Sequence, residues 1–170
     1  IAVDTNKKPI DVFCDMLIDD ELETLQRGMS NSFETLAVLL RNEFSGVASD
    51  SFLFERGNYH RWQGAFADVL GCFVREKQVV PIEEMIRKIT SFPALRLGLR
   101  DRGIIMEGMA ADLVIFDPRS IRSTAEIDRP GITEGIKTVI VNGVLVLQDN
   151  EHTGAYPGKL LRRQNTGAEN

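Results

Sequence analysis

The sequence is poor in the residues that form disulfides and soft-metal sites. It has two cysteines and two histidines in 170 residues. Cys14 and Cys72 lie far apart on apolar helical patterns, which excludes a disulfide framework and a Cys-x-x-Cys metal motif. His60 has no second histidine at ligand spacing, so an ordinary surface histidine is its default interpretation.

The sequence also lacks an excess of positive charge and any long apolar run. Its formal net charge is -5, and its lysines and arginines are scattered, which argues against a nucleic-acid partner. No apolar stretch approaches a membrane span, and the first residues do not resemble a signal peptide. We therefore expect a small-molecule partner, no membrane association and a cytoplasmic location.

What is present is a globular composition with helical periodicity in the first part of the chain. Hydrophobic residues make up 43% and charged residues 26%, enough for one ordinary domain or two small ones. Apolar spacing predicts helices over Pro9–Asp20, from an Asn31 cap to Asn42, over Trp62–Arg75, and from Pro81 onward. A short strand is predicted to end near Gly28, a buried parallel strand over Phe44–Ala48, and a loop over Phe52–Asn58.

After Gly103 the periodicity becomes that of strands. Two apolar runs within Gly103–Pro118 predict two strands of an antiparallel meander. Ile136–Val141 and Val144–Leu147 are joined by Asn142-Gly143, a pair typical of a type I′ hairpin turn. The polar stretch Arg119–Gly135 is predicted to be a long excursion outside the core, and the tail after Gly158 is predicted to be loosely held.

Several motifs resemble one family, the metal-dependent amidohydrolases, and within it the N-acyl-D-amino-acid deacylases (D-aminoacylases). The first motif is Gly-x-Ile-x-x-Gly-x-x-Ala-Asp-Leu-Val-x-Phe-Asp, which starts at Gly103. The others are Thr90–Leu99, Val141–Gly143, Glu151–Gly158, Gly28-Met29-Ser30, Ser49-Asp50, and Arg61-x-x-Gly64-x-Phe66. The resemblance covers nearly the whole chain.

The resemblance implies an α/β fold. Residues 1–98 would form the C-terminal part of a (β/α)8 catalytic barrel with following helices, residues 99–158 a small antiparallel β-domain, and residues 159–170 a tail. A full barrel needs about 200 residues or more, and only about 90 precede Pro93. The chain is therefore expected to be the C-terminal part of an amidohydrolase, with the missing N-terminal part of the barrel as its partner.

The resemblance also implies roles for three residues. Asp50 matches the family's catalytic aspartate, which contacts the metal and accepts a proton from a zinc-bound water; alternatively, Asp50 caps a turn or helix. Arg61 matches an arginine that binds the substrate α-carboxylate, with a solvated loop arginine as the alternative. Met29 resembles a residue of the substrate side-chain pocket, although core filling is also compatible with a single methionine.

The chain departs from the family pattern in several places. Ser51 stands where glycine is usual, and Tyr59-His60 stands where His-Pro is usual. The family's His-x-His, bridging residue and later histidines have no counterpart. Zinc is therefore expected in the complete enzyme, with none bound tightly to this chain alone.

Three functions remain open at this point. The first is hydrolysis of the amide bond of N-acyl-D-amino acids by the complete enzyme, with the isolated chain inactive. The second is the same architecture acting on a cyclic amide, as in hydantoinases and dihydroorotases. The third is a degenerate, non-catalytic relative that serves as an interaction module. The sequence leaves the acyl and amino-acid preference, the number of metals and the oligomeric state open.

Overall fold

Pro9 begins the first helix, α1 (Pro9–Asp19), because a missing backbone donor costs nothing in the first turn. The computed structural model describes residues 6–21, 31–51, 59–126 and 129–163. The chain divides into two compact units, residues 1–32, which contain α1, and residues 33–170. The strand predicted near Gly28 and the loop predicted over Phe52–Asn58 lie outside the described residues. In the described ranges, no helix is both long enough and apolar enough to span a membrane.

The other predicted helices are confirmed in the second unit as α2 (Phe33–Arg41), α3 (Tyr59–Asp68) with a π-helical segment after it (Val69–Glu76), and α4 (Ile82–Ile89). A further helix, α5 (Ser91–Leu97), was not predicted from the sequence. Pro81 precedes α4, whose first turn carries Glu83 and Glu84 and whose last turn carries Arg87 and Lys88. This charge order complements the helix dipole at both ends. Gly98 ends α5 with a φ of 72°, a conformation that favours glycine.

The apolar stripes of these helices meet in one core. Met85 of α4 is completely buried and Ile121 is 2% exposed. The remaining buried members of this core come from α2, α3, the π-helical segment and the residues before α4: Ala37, Leu40, Ala67, Val69, Leu70, Val79 and Val80. Because burial of apolar surface contributes about 25 cal/mol per Å², this cluster stabilises the unit.

The strands form an antiparallel sheet and a separate ribbon. The strands are β1 (Leu113–Phe116), β2 (Arg122–Ser123), β3 (Thr133–Glu134), β4 (Ile136–Val141), β5 (Val144–Gln148) and β6 (Glu151–His152). The sheet order is β1-β4-β5-β6. Among the described strands, β2 pairs with β3 alone, and we call this two-stranded arrangement the ribbon. The predicted hairpin is confirmed, with φ values of 47° at Asn142 and 79° at Gly143, as a type I′ turn requires.

Asp112 explains part of the motif that precedes β1. Its Oδ1 accepts a hydrogen bond of 2.7 Å from the backbone nitrogen of Asn142, and Arg102 forms an ion pair with its other oxygen. The carboxylate therefore ties the start of β1 to the hairpin turn. A shorter or neutral apolar residue would leave the turn nitrogen and the arginine without this acceptor.

Two strand predictions and one loop prediction were wrong. Phe44–Ala48 is a turn followed by irregular chain, and within the described ranges no neighbouring strand supplies the ladder that an isolated apolar run needs. Gly103–Met106 is not a strand, because Gly103, with a φ of 94°, packs against Ala94 of α5, and Ile105 is 90% exposed. The predicted excursion Arg119–Gly135 contains the ribbon and places Ile121 in the core.

Every strand pair in the described ranges is antiparallel. The likeness to a portion of a (β/α)8 barrel therefore stays a prediction, as do the domain limits at residues 98 and 158. What the structure establishes is a mixed α/β architecture in which the helices precede the antiparallel sheet.

Candidate active site

Asp50 lies at the end of an irregular segment that follows α2. Its φ is 51°, in the left-handed region, which aspartate enters more readily than most residues other than glycine. Its side chain is 81% exposed. The carboxylate is therefore accessible to water and to a small molecule.

Arg61, in the first turn of α3, is brought directly to Asp50. Its Nη1 donates to the backbone oxygen of Asp50 at 3.0 Å and lies 3.3 Å from the Asp50 carboxylate oxygen Oδ2. An ion pair this exposed contributes about 0–1 kcal/mol, so it orients the two groups more than it stabilises the fold. The sequence indicated both residues separately, and the structure adds that they touch.

The ribbon holds the helix that carries Arg61. The side-chain oxygen of Gln63 in α3 accepts a hydrogen bond of 2.8 Å from the Gly131 nitrogen. The backbone oxygen of Gln63 accepts one of 2.7 Å from Thr133 Oγ1. The Ser123 nitrogen donates to Asp68 Oδ1 at 3.3 Å. These bonds run from the middle of α3 to its last residue, so the ribbon fixes the C-terminal half of the helix.

Gly64 allows α3 and the ribbon to pack closely against each other. A Cβ at this position would lie 2.2 Å from Ser123 Oγ and 2.4 Å from Ser123 Cβ, distances that real side chains do not adopt. Gly71, in the π-helical segment, is similar, because its Cβ would lie 2.7 Å from the Ile121 backbone oxygen. Sequence reasoning missed this contact, and its one available signal was two glycines within an otherwise helical pattern.

Burial perturbs the carboxylate of Asp68, the last residue of α3. Burial raises the pKa of Asp68, while the hydrogen bond from Ser123 and the nearby His60 act in the opposite direction. His60 is half-buried rather than a surface residue, and its Nδ1 has no hydrogen-bond partner among the described residues. Asp68 therefore belongs to the interface between α3 and the ribbon.

The turn from which the Asp50 segment starts, residues 42–45, is held by hydrogen bonds from α4. The turn at residues 42–45 presents backbone oxygens to α4, where Lys88 Nζ donates to Asn42 O and, at 3.1 Å, to Ser45 O. Arg87 Nη2 donates to Glu43 O at 2.8 Å. Glu84 receives hydrogen bonds from Arg87, which together with Lys88 lower its pKa to about 2 against the opposing effect of burial.

The remaining predicted site features are not assembled by the described residues. Met29 lies outside them. Across residues 6–21, 31–51, 59–126 and 129–163, no group of three or more histidine, cysteine or acidic side chains could hold a metal ion. A catalytic zinc needs about three protein ligands, so Asp50 and its described neighbours do not fit a zinc centre by themselves.

The helices, the antiparallel sheet and the site together define a mixed α/β protein of the amidohydrolase fold, as its likeness to solved structures shows. A sequence model described as "Amidohydrolase family" matches residues 33–147. The chain belongs to the amidohydrolase family.

Within this family, the chain is similar to deacylases of N-acyl-D-amino acids. The N-acyl-D-aspartate deacylase of Alcaligenes xylosoxydans xylosoxydans is 40% identical over 117 residues, which are 68% of this chain and 23% of the relative. A D-aminoacylase structure, from work on its binuclear metal centre, superposes with a TM-score of 0.71 at 33% identity over 78% of this chain and 28% of its own.

A third relative is the N-acyl-D-glutamate deacylase of Bordetella bronchiseptica, solved with zinc and a phosphonate inhibitor. It gives a TM-score of 0.65 at 30% identity, over 69% of this chain and 25% of its own. The chain thus spans about a quarter of the length of these relatives.

Proposed function

We propose that this chain is part of a zinc-dependent hydrolase that cleaves the amide bond of N-acyl-D-amino acids. In this proposal, residues 1–98 supply the C-terminal part of a catalytic barrel and residues 99–158 its small β-domain. The observation that carries it is the direct contact between Asp50 and Arg61, the two residues that the resemblance assigns to chemistry and to substrate binding. The sequence similarity to an N-acyl-D-aspartate deacylase supports N-acyl-D-amino acids as the substrate class.

Asp50 is the proposed proton acceptor. An exposed carboxylate takes a proton from the water that attacks the amide carbon and returns it to the leaving amine nitrogen, so that the amide bond breaks without a free amide anion. When bound in the complete protein, zinc would supply Lewis acidity and lower the pKa of a bound water to about 7. Its remaining ligands must come from residues outside the described set.

Arg61 is the proposed anchor for the substrate α-carboxylate. Both of its contacts with Asp50 use Nη1, and a guanidinium carries two further nitrogens that can form a fork with a carboxylate. An anion held there lies close to Asp50, which places the scissile amide of an N-acyl amino acid within reach of the base. A pocket role for Met29 remains part of the proposal without structural support.

The deciding experiment compares two aspartate-to-asparagine variants in the full-length protein. Asp50→Asn retains size and hydrogen bonding but cannot accept the proton, so we expect kcat on an N-acyl-D-amino acid to fall by about 100-fold or more, with metal content retained. Asp149→Asn is the matched control, because Asp149 is also exposed and has a φ of 47° but lies in the turn between β5 and β6.

The outcomes separate the alternatives. Near wild-type turnover by Asp50→Asn would make Asp50 a turn residue and remove the centre of the proposal. Turnover of a hydantoin or dihydroorotate in place of N-acyl-D-amino acids would favour the cyclic-amide alternative. Absence of turnover on both substrate classes by the metal-loaded wild-type protein would favour a non-catalytic interaction module.

A further inference from the structure

Lys88 is a charged side chain with no exposed surface. Its relative exposure is 0%, equal to that of Met85 on the same helix. A buried ammonium group is strongly unfavourable unless each of its protons is hydrogen bonded and a counter-charge is near. Both conditions are met here. The counter-charge comes from Glu84 on the same helix, and the hydrogen-bond acceptors come from the segment that leads to Asp50.

The acceptors of Lys88 lie in the turn after α2. Besides Asn42 O and Ser45 O, Nζ contacts Ser45 Oγ at 3.2 Å and the Glu84 carboxylate at 3.3 Å. Carbonyls at the end of a helix lack intrahelical donors and carry its negative pole, so a cation fits there. Lys88 therefore fixes the turn through two backbone groups, with Glu84 as counter-charge.

The chain beyond this turn runs to the site. Gly46 packs so closely on the Phe92 ring that a Cβ would lie 3.1 Å from it, which directs the chain along α4 and α5. The far end is held where Asp50 O accepts the hydrogen bond from Arg61. Since residues 45–50 form no strand, these two attachments, rather than a ladder, set the position of Asp50.

We propose that Lys88 is a positioning residue for Asp50, acting through the 42–45 turn. This inference rests on the proposed function for its catalytic consequence, although its structural part can be tested separately. The test uses Lys88→Met in the full-length protein, which retains length and apolar volume but removes the donors. Met85→Ala is the matched control, since Met85 is equally buried in the same helix and its loss removes none of the hydrogen bonds between that helix and the turn.

Two measurements are made on each variant, below its melting temperature. If Lys88 positions Asp50, Lys88→Met lowers kcat by about 100-fold with little change in KM, since small displacements of a reacting group have effects of that size. Hydrogen exchange of the Phe44 and Ser45 amides, which are bonded within the turn, also accelerates at least about tenfold. Met85→Ala shows neither effect at an equal loss of thermal stability.

The results distinguish this inference from the proposed function. If hydrogen exchange is faster in Lys88→Met but the wild-type protein does not hydrolyse N-acyl-D-amino acids, Lys88 anchors the turn and the proposed function is wrong. Unchanged exchange and kcat in Lys88→Met, or equal effects in Met85→Ala, would overturn the positioning role. If Lys88→Met does not fold, Ser45→Ala replaces it. This change removes one acceptor of Lys88 and the hydroxyl's own hydrogen bonds to Leu39 O and Asn42 O, while both backbone carbonyls that Lys88 contacts remain. The expected loss in kcat is then about three- to tenfold.

Discussion

Replacing Gly64 by alanine tests whether the ribbon positions the helix that carries Arg61. In an open helix this change should stabilise by about 1 kcal/mol, because alanine is the better helix former. Here the new Cβ would lie 2.2 Å from Ser123 Oγ, and forced overpacking costs about 1–3 kcal/mol. Separating the surfaces instead strains hydrogen bonds between α3 and the ribbon, each worth about 1 kcal/mol. We expect a net loss of about 1–3 kcal/mol.

The assay is urea unfolding of the protein with Gly64→Ala, Ser123→Gly and both changes together. Ser123→Gly removes the atoms that clash, so the double variant should regain most of the stability that Gly64→Ala loses, which gives a coupling energy of about 1 kcal/mol or more. Displacement of α3 should also raise KM for N-acyl-D-amino acids. A Gly64→Ala protein about 1 kcal/mol more stable than wild type would show that the helix and ribbon are not in this close contact.

Two further predictions concern charged groups. Arg61→Lys loses the planar guanidinium fork, so kcat/KM for substrates with a free α-carboxylate should fall by an equivalent of about 1–3 kcal/mol. In the wild-type protein, substrates with an amidated carboxylate should already be poor. Equal turnover of both substrate forms by the wild-type protein would show that Arg61 does not bind the carboxylate. Arg87 is the chief cause that lowers the pKa of Glu84 from 4.5 to about 2. The ionised carboxylate therefore stabilises the fold fully at pH values above 4.5, and this stabilisation is lost as the pH falls towards 2. With the side chain 30% exposed, we expect a loss of about 1 kcal/mol after allowing for solvent screening, measured by urea unfolding at several pH values, and a flatter profile in Glu84→Gln.

Local signals in the sequence predicted much of the second unit. Helical spacing located α2 and α4, Pro81 marked the start of α4, and Asn142-Gly143 identified the hairpin, because each signal depends on residues near one another in the chain. Apolar content alone misassigned Phe44–Ala48 and Gly103–Met106 as strands. A short apolar run does not show whether another strand lies beside it.

The sequence by itself determined every described helix except α5, the hairpin and the family resemblance, and that resemblance named Asp50 and Arg61 as candidates. Only the tertiary structure decided that Arg61 contacts Asp50, that the ribbon is clamped to α3, and that Lys88 reaches the turn before the site. These contacts join residues 11 to 70 positions apart. They depend on how the helices pack around the core, and no periodicity or spacing encodes that packing locally.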